Sequence, residues 1–207
     1  VGDMPIMGVI ADATNLISEG EVQQMGNAGN SAIDEATYYE VIYRKTAKLF
    51  EAAARIGAML AAEEADLFVG DSAILDARTD AMAAYGKHLG LAFQIADDVL
   101  DYQGDSQSIG KNVGDDFAEG KVTLPLIVAM RNGSPEQAST VRQAILTGEV
   151  ADIDNLLKTV KATGGLQYTE ALAVAEIDKA TACLEKLPSS VYKDAMHDLA
   201  RYSINRE

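Results

Sequence analysis

The stretch from Leu91 to Pro125, LAFQIADDVLDYQGDSQSIGKNVGDDFAEGKVTLP, contains adjacent aspartates at 97 and 98, a third at Asp101, and two Gly-Lys pairs, Gly110-Lys111 and Gly120-Lys121. Its first dozen residues read as a helix. Ala92, Ile95, Ala96, Val99 and Leu100 form an apolar side, and Gln94, Asp97, Asp98 and Asp101, at i, i+3, i+4 and i+7, form a polar stripe. No Lys or Arg stands within four residues of the three aspartates. Like charges crowded in this way destabilise a helix by roughly 0.2–0.5 kcal/mol per pair. An acidic run is commonly a solvated face, but such faces interleave Lys with Glu, and this one does not. A cation from outside the chain relieves the repulsion, and an all-oxygen site suits Mg²⁺. With two lysines following on a glycine-rich loop, the pattern suits a diphosphate held between Mg²⁺ and ammonium groups.

Working upstream, the segment from Glu35 to about Ala65 reads as one long helix whose apolar face collects Tyr38, Val41, Ile42, Leu49, Ala52, Ala53, Ile56 and Leu60. At 100° per residue Lys45 falls within that face, with Thr46 on its flank, while Arg44 and Lys48 point to solvent. A lysine there can snorkel along its stem, but an inward cation is better explained by an anion it meets, because an unpaired buried charge is costly.

The remainder is also helical, with candidates at 5–28, 74–102, 123–131, 135–146, 153–163, 166–187 and 191–202, and no credible strand alternation. Ser134-Pro135-Glu136-Gln137 is a helix start, with Ser as N-cap and Gln at the capping-box position. Gly164-Gly165 and Pro188-Ser189 mark breaks. Hydrophobic residues make up 48% of the 207, with no Trp, which suits one helical domain over the whole chain. The net charge of −15 makes nucleic acid an improbable partner. Cys183 is the lone cysteine and reads as packing, which fits a reducing compartment. The two Gly-to-Lys runs are not P-loops, since five residues separate their glycines and neither lysine precedes Ser or Thr. His88 and His197 are too isolated for a metal site or a triad.

The segments KTAKLF (45–50), FQIADDVLDY (93–102), GKNVGDD (110–116) and EGKVTLPLI (119–127) resemble, in order, the motifs of the trans-isoprenyl diphosphate synthases. ISEGEVQQM (17–25) and the closing RYSINRE (201–207) resemble the long-chain polyprenyl group, of octaprenyl or decaprenyl type. The resemblance implies an all-α, isoprenoid-synthase-type helical bundle around a central cavity. It implies a Mg²⁺-dependent prenyltransferase that condenses isopentenyl diphosphate with an allylic diphosphate into an all-trans polyprenyl diphosphate. Carried over residue by residue, Asp97 binds Mg²⁺, with Asp98 and Asp101 in or just behind its shell. Lys45, Lys111 and Lys121 contact the allylic diphosphate, and Thr46 and Gln94 line the site near the developing cation. Fixed positive charge is what a departing diphosphate needs, and exclusion of water is what an allyl cation needs. A cytoplasmic homodimer with peripheral membrane contact for product release completes the expectation.

One departure stands against these matches. The family's other aspartate-rich motif and its early basic residues, which serve isopentenyl diphosphate, have no counterpart, and residues 1–34 contain no Lys or Arg. The chain therefore resembles the C-terminal two-thirds of such an enzyme and is expected to be inactive alone. Two other classes compete: a noncatalytic subunit of a heteromeric synthase, and a terpene cyclase. The Lys45-Thr46 pair and the two Gly-Lys lysines favour chain elongation.

Overall fold

A computed structural model describes residues 3–69, 72–103, 119–147 and 153–205. The helices are α1 (Met4–Asn27), α2 (Glu35–Ile42), a π-helical segment (Tyr43–Ala47), α3 (Lys48–Val69) and α4 (Ser72–Gln103), then α5 (Leu124–Asn132), α6 (Pro135–Thr147), α7 (Ile153–Ala162), α8 (Gly165–Leu184) and α9 (Val191–Ile204). Among the described residues there is no strand, and no helix is long and apolar enough to cross a membrane.

Local chemistry sets the helix ends. Asp34 Oδ1 accepts from the Thr37 amide at 2.9 Å and from its hydroxyl at 2.6 Å, starting α2. At α6 the capping box closes both ways: Ser134 N donates to Gln137 Oε1 at 2.9 Å, and Gln137 N donates to Ser134 Oγ at 3.3 Å. Ser190 Oγ accepts from Lys193 N at 3.1 Å to begin α9. Gly164, with φ of +76°, turns the chain out of α7 in a conformation that favours glycine.

By its contacts the chain divides into two compact units, residues 1–21, 42–93 and 174–207 in the first and 22–41 and 94–173 in the second. In the first, Tyr85, Leu89 and Ala92 of α4 pack with Ile177, Ala180 and Leu184 of α8 and Ala200 of α9. The buried Tyr85 hydroxyl donates to the Met196 carbonyl at 2.9 Å. Cys183 packs against this core, as its helical position suggests, and burial raises its thiol pKa. His88 is satisfied by the buried Glu176, Nδ1 to Oε2, at 2.6 Å. In the second unit, Tyr102, Leu126, Ala129, Val141, Ile145, Leu156, Val160 and Leu166 form one cluster. Each such large side chain contributes about 1.5–3 kcal/mol on full burial.

The expected single helix over 35–65 is interrupted, and this changes which residues are inside. The π turn at Tyr43–Ala47 inserts one residue into the α repeat. Ile42 and Ala47, five apart, are both buried, whereas Leu49 and Leu60, assigned to the core face on an α phase, are 58% and 44% exposed. Lys48, expected in solvent, is instead largely buried and bonded to Glu51 Oε1 at 2.7 Å. Burial alone would lower the Lys48 pKa, but Glu51 outweighs it and the net shift is upward.

Candidate functional site

The aspartate-rich end of α4 belongs to the second unit. Ala92, Ile95, Ala96 and Val99 are buried as the periodicity predicts. The polar stripe is not uniform. Asp98 is 3% exposed, and its Oδ2 accepts from the buried Tyr38 hydroxyl of α2 at 2.7 Å. Its Oδ1 accepts from Gln94 Nε2, one turn back, at 2.9 Å. Burial, and then the Asp98 carboxylate, hold the Tyr38 phenol pKa well above its ordinary 10.0, so Tyr38 stays a donor. Asp97 is only half-buried, and Asp101 follows it by one turn with its Oδ2 buried. The structure thus ties Gln94 and Asp98 into the fold and leaves Asp97 the more accessible carboxylate of the adjacent pair.

Lys121 lies in the same unit, in the turn leading into α5. Gly120 has φ of +76°, and its carbonyl accepts from the Gly29 amide at 3.0 Å. Two residues after Lys121, Thr123 Oγ1 lies 2.6 Å from the Tyr102 hydroxyl, so the turn is pinned on both sides. Lys121 therefore sits on an anchored turn, and its Nζ is 2.9 Å from Glu119 Oε2. Gly110 and Lys111 lie outside the described residues.

Lys45 and Thr46 belong to the first unit, on the π segment. That segment is gripped by two glycines. A Cβ on Gly20 of α1 would stand 2.7 Å from the Lys45 amide nitrogen and 2.8 Å from Arg44 Cβ. One on Gly90 of α4 would stand 2.6 Å from Ala47 Cα. No side chain fits in either place, so backbone packs against backbone. On either side of Gly20, Glu19 reaches Arg44 at 3.5 Å and Glu21 reaches Lys45 at 3.3 Å. Lys45 thus meets a carboxylate of the chain itself, Glu21, in a part-exposed pair where the sequence pattern called for a buried one.

Tyr38, Gly20, Glu21 and Gly90 escaped the sequence reading as site-building residues. Tyr38 carried one usable signal, since a buried tyrosine hydroxyl requires a partner. The others act through contacts between helices and leave no local pattern.

Among the described residues no three His, Cys, Asp or Glu gather as a ready-made metal cage. The donor chemistry fits Mg²⁺ nonetheless. Mg²⁺ is commonly held by one or two carboxylates, with water and substrate phosphate completing its shell. Asp97 and Asp101, a turn apart, are carboxylates of that chemical type, and Asp98 is tied by hydrogen bonds to Tyr38 and Gln94.

An all-helical fold carrying an aspartate-rich helix and a lysine on a π turn defines the class, and comparison with known proteins narrows it. The pattern of the family described as Polyprenyl synthetase matches residues 1–161, and the chain belongs to that family. It is 44% identical over 204 residues to the octaprenyl diphosphate synthase of Haemophilus influenzae, covering 98% of this chain and 59% of that protein. A crystal structure of a decaprenyl diphosphate synthase from Rhodobacter capsulatus matches with a TM-score of 0.84 at 37% identity, over 100% of this chain and 61% of that one. A polyprenyl synthase from Caulobacter crescentus CB15, complexed with calcium and isoprenyl diphosphate, matches with a TM-score of 0.83 at 36% identity, over 99% of this chain and 60% of that one. The chain spans about 60% of the length of these relatives.

Proposed function

We propose that this chain is the part of a long-chain, all-trans polyprenyl diphosphate synthase that handles the allylic diphosphate. The carrying observation is 44% identity to an octaprenyl diphosphate synthase over nearly the whole chain. The Caulobacter relative, which holds isoprenyl diphosphate and a divalent cation, supports the same ligand class here.

In this reading Lys45, Lys111 and Lys121 contact the oxygens of the allylic diphosphate and Asp97 is the leading metal ligand, with Asp101 and Asp98 supporting it. Bound Mg²⁺ supplies charge neutralisation for the departing diphosphate. The allylic C–O bond breaks and its electron pair leaves with the diphosphate. The double bond of isopentenyl diphosphate then attacks the allyl cation, and loss of a proton restores a double bond in the lengthened chain. Thr46 and Gln94 offer oxygen dipoles to the cation, and the apolar helices exclude water. Homodimeric assembly, a cytoplasmic setting and peripheral membrane contact for product release are parts of the same proposal and rest on family resemblance.

The test is Mg²⁺-dependent incorporation of labelled isopentenyl diphosphate into prenyl chains. It is run on this 207-residue chain and on one completed with the N-terminal part of the Haemophilus relative. Activity in the completed protein alone is the expected result. No product from either overturns the proposal.

A further inference from the structure

We propose that Glu21 is the resting counter-ion of Lys45, holding its ammonium group when no diphosphate is bound and yielding it when one arrives. The inference rests on the reading of Lys45 as a diphosphate contact and adds a positioning residue to it. Its basis is the grip of α1 on the π segment. Glu21 Oε2 stands 3.3 Å from Lys45 Nζ, and the neighbouring Gly20 presses its backbone against the Lys45 amide, where a Cβ would come within 2.7 Å. The two charges are therefore mounted on elements in backbone contact, which keeps Glu21 within reach of the Lys45 ammonium group. A parallel pair, Arg44–Glu19 at 3.5 Å, spans the same contact.

The exposures give the pair its direction of exchange. The Glu21 side chain is 49% exposed and can turn into water, whereas Lys45, at 28%, is held by the segment that carries it. A part-exposed pair of this kind is weak enough to be displaced by a multiply charged diphosphate. It is strong enough to take the ammonium back afterwards. A cation with a carboxylate to return to releases a leaving diphosphate more readily than one without, which matters in a reaction that frees diphosphate at each condensation.

The test is a double-mutant cycle read by calorimetric titration of inorganic diphosphate, with MgCl₂ present, into the wild-type chain, Glu21→Gln, Lys45→Met and the double variant. Glu21→Gln is expected to bind diphosphate about two- to five-fold more tightly, as loss of a competing exposed ion pair predicts. The gain should shrink at high NaCl. In the Lys45→Met background most of it should disappear, because only direct repulsion between Glu21 and the anion remains. A merely structural role for Glu21 would weaken binding. Unchanged or weaker binding by Glu21→Gln, or equal tightening in both backgrounds, overturns the inference while leaving the reading of Lys45 intact. Failure of the wild-type chain to bind diphosphate overturns both.

Discussion

Asp98 accepts one hydrogen bond from the buried Tyr38 and another from Gln94, while Asp97, one residue earlier, is only partly buried. The two must respond differently to the same substitution. Asp98→Ala leaves a buried hydroxyl and an amide short of an acceptor, a loss of about 1–3 kcal/mol expected in urea denaturation. Asp97→Ala relieves like-charge crowding and should stay within about 0.5 kcal/mol of wild type. In the completed enzyme, however, Asp97→Ala should abolish Mg²⁺-dependent turnover. Glu176 offers a pH test. Burial favours its protonated form, but His88 and Lys179 outweigh burial and hold its pKa below the ordinary 4.5. A carboxyl depressed in the folded state binds its proton more readily when unfolded, so its stabilising contribution is present above pH 4.5 and is lost as pH falls through the folded value. Denaturation midpoints should therefore fall on acidification below about that pH, and Glu176→Gln should flatten that part of the profile.

At the scale of elements, the chain's own patterning marks nearly every helix. Ser134 and Gln137 announce α6, Gly164 closes α7, and the apolar spacing of Ile95, Ala96 and Val99 fixes the buried side of α4. The π turn was not legible, because the backbones packed against it come from other helices. Residues 43–47, YRKTA, carry no helix breaker, and only Gly20 and Gly90, distant in sequence, show why the segment sits where it does. The same distance hid the Tyr38–Asp98 bond, whose partners are 60 residues apart. Two glycines of α1 make this testable. Gly8 has nothing within 4 Å of a Cβ position, so Gly8→Ala should stabilise by about 0.5–1 kcal/mol through helix propensity. Gly20→Ala gains the same propensity but drives a methyl group into the Lys45 amide and Arg44 Cβ, and should destabilise by about 1–3 kcal/mol. Thermal melts of the two variants should move in opposite directions. A Gly20→Ala protein as stable as Gly8→Ala would remove the grip on the π segment.

At the scale of the whole molecule, 32 acidic residues stand against 17 basic ones, leaving a net charge of −15 on a protein proposed to bind anions. Self-repulsion of this size weakens the compact state and is screened by salt, so Tm at pH 7 should rise with NaCl. That response is nonspecific and should survive any single substitution. Mg²⁺ with inorganic diphosphate should add to it at matched ionic strength, because a ligand that binds only the folded state stabilises by mass action. At a concentration 100 times Kd the gain is about 2.7 kcal/mol. In a domain of this size that lifts Tm by about 5–10 °C. Asp97→Ala should keep the NaCl response and lose most of the additional one, since Asp97 is the carboxylate proposed to hold the metal. If Asp97→Ala retains both responses, the acidic stripe of α4 is a solvated face; if the wild-type chain shows only the NaCl response, the reading of Lys45 and Asp97 as diphosphate-site residues fails with it.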